Sequence, residues 1–247
     1  TGSTEVGRLL LREAADQVVD ASMELGGNAP FLILPGADLD QAIAGALVAK
    51  LRNGGAACTA ANRFYVHSSL AEEFTTRITA ELGRLRVGPG QDRENQLGAL
   101  VSEAERDKVA GLVDRAVADG AELIIGGGHD GPGAFYRPTV LTGVRHGTEI
   151  TSTEIFGPVI TIITYDDVDD AVAMANDTSY GLISYVYGER GEALAVAERL
   201  ESGMVAVNRG VVSDPAAPFG GMKQSGLGRE GGFAGIHEFL ESQYIAV

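Results

Sequence analysis

Phe31-Leu32-Ile33-Leu34-Pro35-Gly36-Ala37-Asp38-Leu39-Asp40, with the residues that follow it to His67, decides the fold. Phe31 to Leu34 is an unbroken apolar run of strand length, closed by the Pro35-Gly36 turn. Asp38 offers a short carboxylate to the free N–H groups of a helix start. Behind it, Leu39, Ile43, Leu47 and Leu51 recur at the helical period and form one apolar stripe. Gly54-Gly55 ends the helix. Arg63 to His67 then reads as a second strand. Strand, helix and strand in this order predict an α/β protein with a largely parallel sheet flanked by helices.

The same alternation extends both ways. Ser3-Thr4-Glu5 ahead of Val6, Leu9 and Leu10 marks a helix start. Ser69 with Glu72, and Ser102 with Glu105, have the spacing of capping boxes. The first leads into Phe74 and Ile78, the second into Val109, Leu112, Val113 and Val117. Val87-Gly88-Pro89-Gly90 separates them. Strands are expected at Leu123–Ile125, Val159–Tyr165, Ile183–Tyr187 and Met204–Val207, and helices at Asp167–Asn176 and Glu192–Leu200. Residues 126–133 and 213–232 read as loops. Residues 243–247 read as a strand with no later partner. No internal repeat is present.

The 247 residues suffice for a full core, and a hydrophobic content of 45% fits a globular chain. The formal charge of −15 argues against nucleic acid and anionic membrane surfaces, both of which need basic patches. One cysteine excludes an internal disulfide and fits a reducing, cytoplasmic setting. No apolar run is long enough to span a bilayer. His67, His129, His146 and His237 show no metal-ligand spacing, so no metal is expected and loop or surface positions are.

Chemistry concentrates in four segments. Cys58 lies in a run of small residues, Ala56-Ala57-Cys58-Thr59-Ala60, just after Gly54-Gly55. A lone cysteine is ordinarily an inert core residue. Small neighbours would instead let a carbonyl approach the sulfur, with the Cys58 N–H placed for an oxyanion. Glu24-Leu25-Gly26-Gly27-Asn28 puts a carboxylate in an apolar, glycine-rich setting where its pKa can rise toward that of a general base. Alone it would read as a solvated strand end. Glu154-Ile155-Phe156-Gly157-Pro158 would read alone as a turn into a strand. Pro218-Phe219-Gly220-Gly221-Met222-Lys223-Gln224-Ser225-Gly226, with Gly228-Arg229-Glu230 after it, would read alone as a surface loop.

Taken together and in this order, the four segments resemble the aldehyde dehydrogenase superfamily along the whole chain. Cys58 follows Glu24 by 34 residues, a separation that suits that family. The resemblance implies Cys58 as the nucleophile that forms a thiohemiacetal and then a thioester. It implies Glu24 as general base, Glu154 as the acid that holds the nicotinamide ribose, and Phe156 as the aromatic beside that ring. Gly2 and Ser3 match the start of a helix that faces the pyrophosphate of NAD or NADP. Asn208 matches an asparagine near the active site. Arg52 and Ser213 match the carboxylate contacts of semialdehyde-type members such as succinate-semialdehyde dehydrogenase. Otherwise Arg52 would be a solvated helix-end cation.

Two positions depart from the family pattern. Ala60 stands where some members carry a second, redox-active cysteine, and Thr153 stands where an acid often precedes Glu154. Family members are also much longer. The implied organisation is a remnant of the dinucleotide-binding domain over residues 1–25, a catalytic domain over 26–226, a return segment over 227–239 and an oligomerisation strand over 240–247. The expectation is an NAD(P)-dependent oxidation of a small aldehyde by a homodimer or homotetramer. The alternatives are a non-catalytic module acting by oligomerisation and a cofactor-independent thiol esterase.

Overall fold

The computed structural model describes residues 1–129 and 131–247. Helix α1 (Thr4–Gln17) starts where Ser3 Oγ accepts from the Val6 N–H at 3.2 Å. After the two-residue strand β1 (Met23–Glu24), the chain forms β2 (Ala29–Ile33), α2 (Leu39–Leu51) and β3 (Ala61–His67). Asp38 caps α2 by accepting from Asp40 N and Gln41 N. The face that α2 buries is richer in small residues than its leucine stripe suggests. Ala42, Ala46 and Ala49 are covered, whereas Leu47 and Leu51 are only partly so. Small residues bring the helix close to the sheet, and that closeness decides which side packs.

Helix α3 (Ser68–Gly83) follows β3 without a linker. The Ser69–Glu72 capping box therefore does not form. His67 occupies the cap position, and its Nδ1 accepts from Ser69 N at 3.2 Å. At α4 (Glu103–Ala118), Ser102 Oγ accepts from Glu105 N at 3.1 Å. Glu105 pairs with Lys108 instead of reaching back, so half of that box is made. Then come β4 (Glu122–Ile125), β5 (Thr139–Thr142), α5 (Glu149–Ser152), β6 (Val159–Tyr165), α6 (Val168–Asn176), β7 (Tyr180–Gly181), β8 (Ile183–Tyr187), α7 (Arg190–Ala197), β9 (Met204–Val207), β10 (Met222–Lys223), β11 (Gly226–Leu227) and α8 (Gly232–His237). Helix α7 begins earlier than its apolar pattern because Glu189 accepts from Gly191 N and Glu192 N. β5 and α5 gave no sequence signal, being too short to show a period. Within the loop 126–133, residue 130 lies outside the described residues.

The main sheet has the order β4-β5-β6-β3-β2-β8-β9. All neighbours are parallel except β4, which runs antiparallel at one edge. Both faces are covered, as parallel sheets require. Phe31, Ile33, Phe64 and Val66 meet α2 and α3 on one side. Leu32, Tyr65 and Ile163 meet α4, α6 and α7 on the other.

Arg63, read in the sequence only as the start of a strand, is fully buried in β3. Its guanidinium donates to Asn28 O, Tyr65 Oη, Met174 O and Ala175 O at 2.9–3.1 Å. The last two are carbonyls at the C-terminal end of α6, where a cation is favoured. Arg63 thereby ties α6 to the segment just before β2.

Residues 243–247 form no strand, contrary to expectation. A strand needs a second backbone, and no backbone hydrogen bond among the described residues reaches them. Phe239, Tyr244 and Ile245 of this tail are exposed, as are Leu9 and Leu10 of α1. No helix among the described residues is long and apolar enough to cross a membrane.

Candidate active site

The four segments singled out in the sequence meet at one place. β1 pairs antiparallel with β11, which sets Glu24 opposite Gly226. Beside it, Leu25 N donates to Ser225 O at 2.8 Å. Ser225 Oγ donates to Gly26 O at 2.7 Å and accepts from Gly181 N at 2.9 Å. The glycine-rich loop is thus fastened to the acid segment rather than lying loose on the surface.

Gly27 joins the acid segment to the other two. Its N–H donates to Glu154 Oε1 at 3.0 Å. A Cβ on Gly27 would stand 2.0 Å from the Cys58 carbonyl oxygen, so only glycine permits this contact. Gly55, at φ 82°, closes the ring: its Cβ would lie 2.3 Å from Gly157 O. The Cys58 loop begins in the left-handed turn Asn53-Gly54-Gly55. Tyr185 Oη holds its far side, donating to Thr59 O at 2.8 Å.

Glu24 is 6% exposed, and neither carboxylate oxygen has a hydrogen-bond partner among the described residues. Burial pushes it up to about 7, Glu230 adds to the rise, and Arg229 opposes it. Cys58 is half-buried. Burial, then Glu154, then Glu24 push its thiol upward, while its own and Thr59's N–H groups work the other way. The sulfur therefore rests as a thiol, and using it requires a base. Glu154 is raised mainly by burial, against the Gly27 hydrogen bond, Lys108 and Lys50. Three titratable groups thus sit in one another's fields, each displaced from its ordinary value.

Gly2 N donates to Glu24 O at 3.1 Å, which brings the start of α1 to the same place. Phe156 follows Glu154 in a left-handed conformation, φ 58°. Arg52 is exposed and makes no ion pair among the described residues. Its field and that of Cys58 both reach Tyr185. Ser213 is exposed on the loop after β9, and no hydrogen bond joins it to Arg52. The Asn208 carboxamide is occupied elsewhere: it accepts from Gly188 N at 3.0 Å and donates to Gly188 O at 2.9 Å. That double bond to the backbone makes it a tie between the ends of β8 and β9, not a group free for chemistry. His146, expected in a surface or loop position, is mostly buried between Tyr65 Oη and Asp177, each at 3.0 Å. No cluster able to hold a metal ion exists among the described residues.

Sequence reasoning missed Lys50, fully buried beside this site, and Tyr185. A lysine within an otherwise apolar helix stripe was the available signal for the first. Nothing short of the Thr59 contact singles out the second.

A half-buried thiol, a bare buried carboxylate and a second acid define a site suited to acyl transfer through sulfur. The aldehyde dehydrogenase family matches residues 1–245, and the chain belongs to it. The chain is 50% identical over its full length to a succinate-semialdehyde dehydrogenase of Paenarthrobacter nicotinovorans, of which it covers 55%. It is 45% identical over its full length to a probable succinate-semialdehyde dehydrogenase of Sinorhizobium fredii whose name specifies NADP(+), covering 51%. It matches the crystal structure of succinate-semialdehyde dehydrogenase from Burkholderia pseudomallei with a TM-score of 0.95 at 44% identity, over 97% of this chain and 50% of that one. The chain spans about half the length of the curated relatives it matches.

Proposed function

We propose that this chain is the cysteine-bearing part of an NAD(P)-dependent dehydrogenase that oxidises a small anionic aldehyde, succinate semialdehyde first, to its carboxylate. The observation that carries the reading is the bare, buried Glu24 carboxylate in the field of the Cys58 thiol. Glu24 takes the thiol proton, and Cys58 Sγ attacks the aldehyde carbon to give a thiohemiacetal. The Cys58 N–H faces the developing oxyanion. Glu154, with one oxygen used by Gly27 and the other unbonded, fits the ribose hydroxyls of a nicotinamide dinucleotide. The first turn of α1, next to Gly2 and Ser3, suits its pyrophosphate, and Phe156 stands beside the ring. When bound, that cofactor supplies the two-electron acceptor for the hydride, and the carbon on Cys58 is then a thioester. Glu24 removes a proton from water, the water oxygen attacks the thioester carbon, and the C–S bond breaks to release the carboxylate. A carboxyl near 7 serves this role because it is ionised just above neutrality yet basic enough to take a proton.

Arg52 supports the anionic substrate. It is an unpaired cation on the turn that leads to Cys58, available for a bidentate contact with a distal carboxylate. Ser213 is the second contact in this reading. The exposed apolar tail, residues 240–247, supports pairing with another copy in a dimer or tetramer. The experiment is reduced-nicotinamide formation by the complete gene product with succinate semialdehyde and with butanal. Arg52→Leu is expected to raise KM for the semialdehyde roughly 10- to 100-fold and to leave butanal turnover within about twofold. Equal effects on both aldehydes would remove Arg52 from substrate recognition. Absence of turnover with either would sink the dehydrogenase reading.

A further inference from the structure

Lys50 lies within the site, and the acyl-transfer steps give it no task. It stands on the last turn of α2, eight residues before Cys58, and is 0% exposed. An ammonium has three N–H donors. Among the described residues one acceptor meets them, Asn62 Oδ1 at 2.8 Å. An irregularity in the sheet delivers that acceptor. β2 and β3 pair Ala29 with Ala61 and then Pro30 with Arg63, so Asn62 is an extra residue in β3. Bulges of this kind re-aim a side chain and recur beside active sites. Thr161 Oγ1 anchors this one by donating to Asn62 O at 2.5 Å.

A buried cation with no carboxylate bonded to it is unfavourable, and an apolar residue of similar volume would stabilise the fold better. Burial lowers Lys50 to about 7, and the Glu154 carboxylate is the charge that opposes the fall. The relation is mutual, since Lys50 and Lys108 both favour the ionised form of Glu154. We propose that Lys50 is a positioning residue: its ammonium, aimed by the Asn62 bulge, keeps Glu154 ionised so that its free oxygen can accept from the ribose hydroxyls of the nicotinamide cofactor. The inference rests on Glu154 being that acceptor.

The sign of the pH dependence follows. Glu154 is faced by Lys50 from α2, by Lys108 and Glu105 from α4, and by the Gly27 N–H, and its own field reaches Cys58 and Tyr180. Burial raises Glu154, so falling pH protonates it. Lys50 carries its charge below about 7 and resists that protonation. Above that range Lys50 is largely neutral and Glu154 is ionised without help. The contribution of Lys50 is therefore greatest on the acid side.

The test is calorimetry of NAD and NADP binding to the complete gene product, from about pH 6 to about pH 9, for wild type, Lys50→Gln, Lys50→Met, Asn62→Leu and Glu154→Gln. Lys50→Gln keeps a donor for Asn62 and removes the charge. It is expected to weaken binding about tenfold near pH 6 and less than about twofold near pH 9. Lys50→Met and Asn62→Leu should follow the same profile, so the test survives if one variant does not fold. Wild-type affinity of Lys50→Gln at every pH, or a loss independent of pH, overturns the inference and leaves Lys50 a packing residue. Glu154→Gln separates the two levels. If it binds cofactor as wild type does, the reading of Glu154 fails; if it binds weakly while Lys50→Gln does not, only the role of Lys50 fails.

Discussion

Cys58→Ala is expected to lower aldehyde oxidation by the complete gene product roughly 10⁴-fold or more, because no other group here can carry the acyl intermediate. The chain has one cysteine, so no neighbouring thiol can substitute. Folding should hardly notice the change. The sulfur is half-buried among small residues, and its loop is held by backbone contacts at Gly27 and Thr59 that alanine preserves. A melting temperature near that of wild type, together with lost turnover, is the expected pair of results. Unchanged turnover would mean that the chemistry lies elsewhere.

Gly27→Ala should damage both fold and activity, and for one reason. The new methyl would stand 2.0 Å from the Cys58 carbonyl oxygen and 3.7 Å from Leu182 Cβ. Neither neighbour on the Cys58 side is a flexible side-chain end, so the acid segment and the cysteine loop must move apart. Overpacking of this sort costs about 3 kcal/mol, which for a chain of this size lowers the melting temperature by roughly 6–12 °C. The same displacement breaks the geometry between sulfur and base, and turnover should fall by about two orders of magnitude. Gly98→Ala is the control, since a Cβ there meets nothing within 4 Å and its φ is not positive. It is expected to change stability by less than about 0.5 kcal/mol. Equal melting temperatures for the two variants would show that the Gly27–Cys58 contact does not hold the site together.

Much of the architecture was legible because it rests on period and punctuation. The limits of β6, β8 and β9 follow from their β-branched and apolar runs, and Asp38 and Ser102 cap the helices that they announce. What was hidden depends on contacts far apart in the chain. The helix start at His67 is set by the abrupt end of β3, which Ser69 and Glu72 do not reveal. The isolation of 243–247 depends on which backbones lie nearby. The candidate site shows the same division. Cys58, Glu24 and Glu154 stand out by residue type within glycine-rich runs. Lys50 and Arg63, the two cations buried beneath them, look in sequence like ordinary residues of a helix and a strand. Their acceptors, Asn62, Asn28 and the end of α6, come together only in the folded chain.

The most direct test replaces the base and looks for what accumulates on the sulfur. Glu24→Gln in the complete gene product is mixed with succinate semialdehyde and oxidised cofactor, quenched in acid, digested and weighed by mass spectrometry. With the base gone, water attack on the thioester slows. The peptide containing Cys58 should gain the mass of the succinyl group, while in wild type the adduct stays sparse. An acyl group on another residue, or an unmodified Cys58 peptide despite a burst of reduced cofactor, would contradict the account.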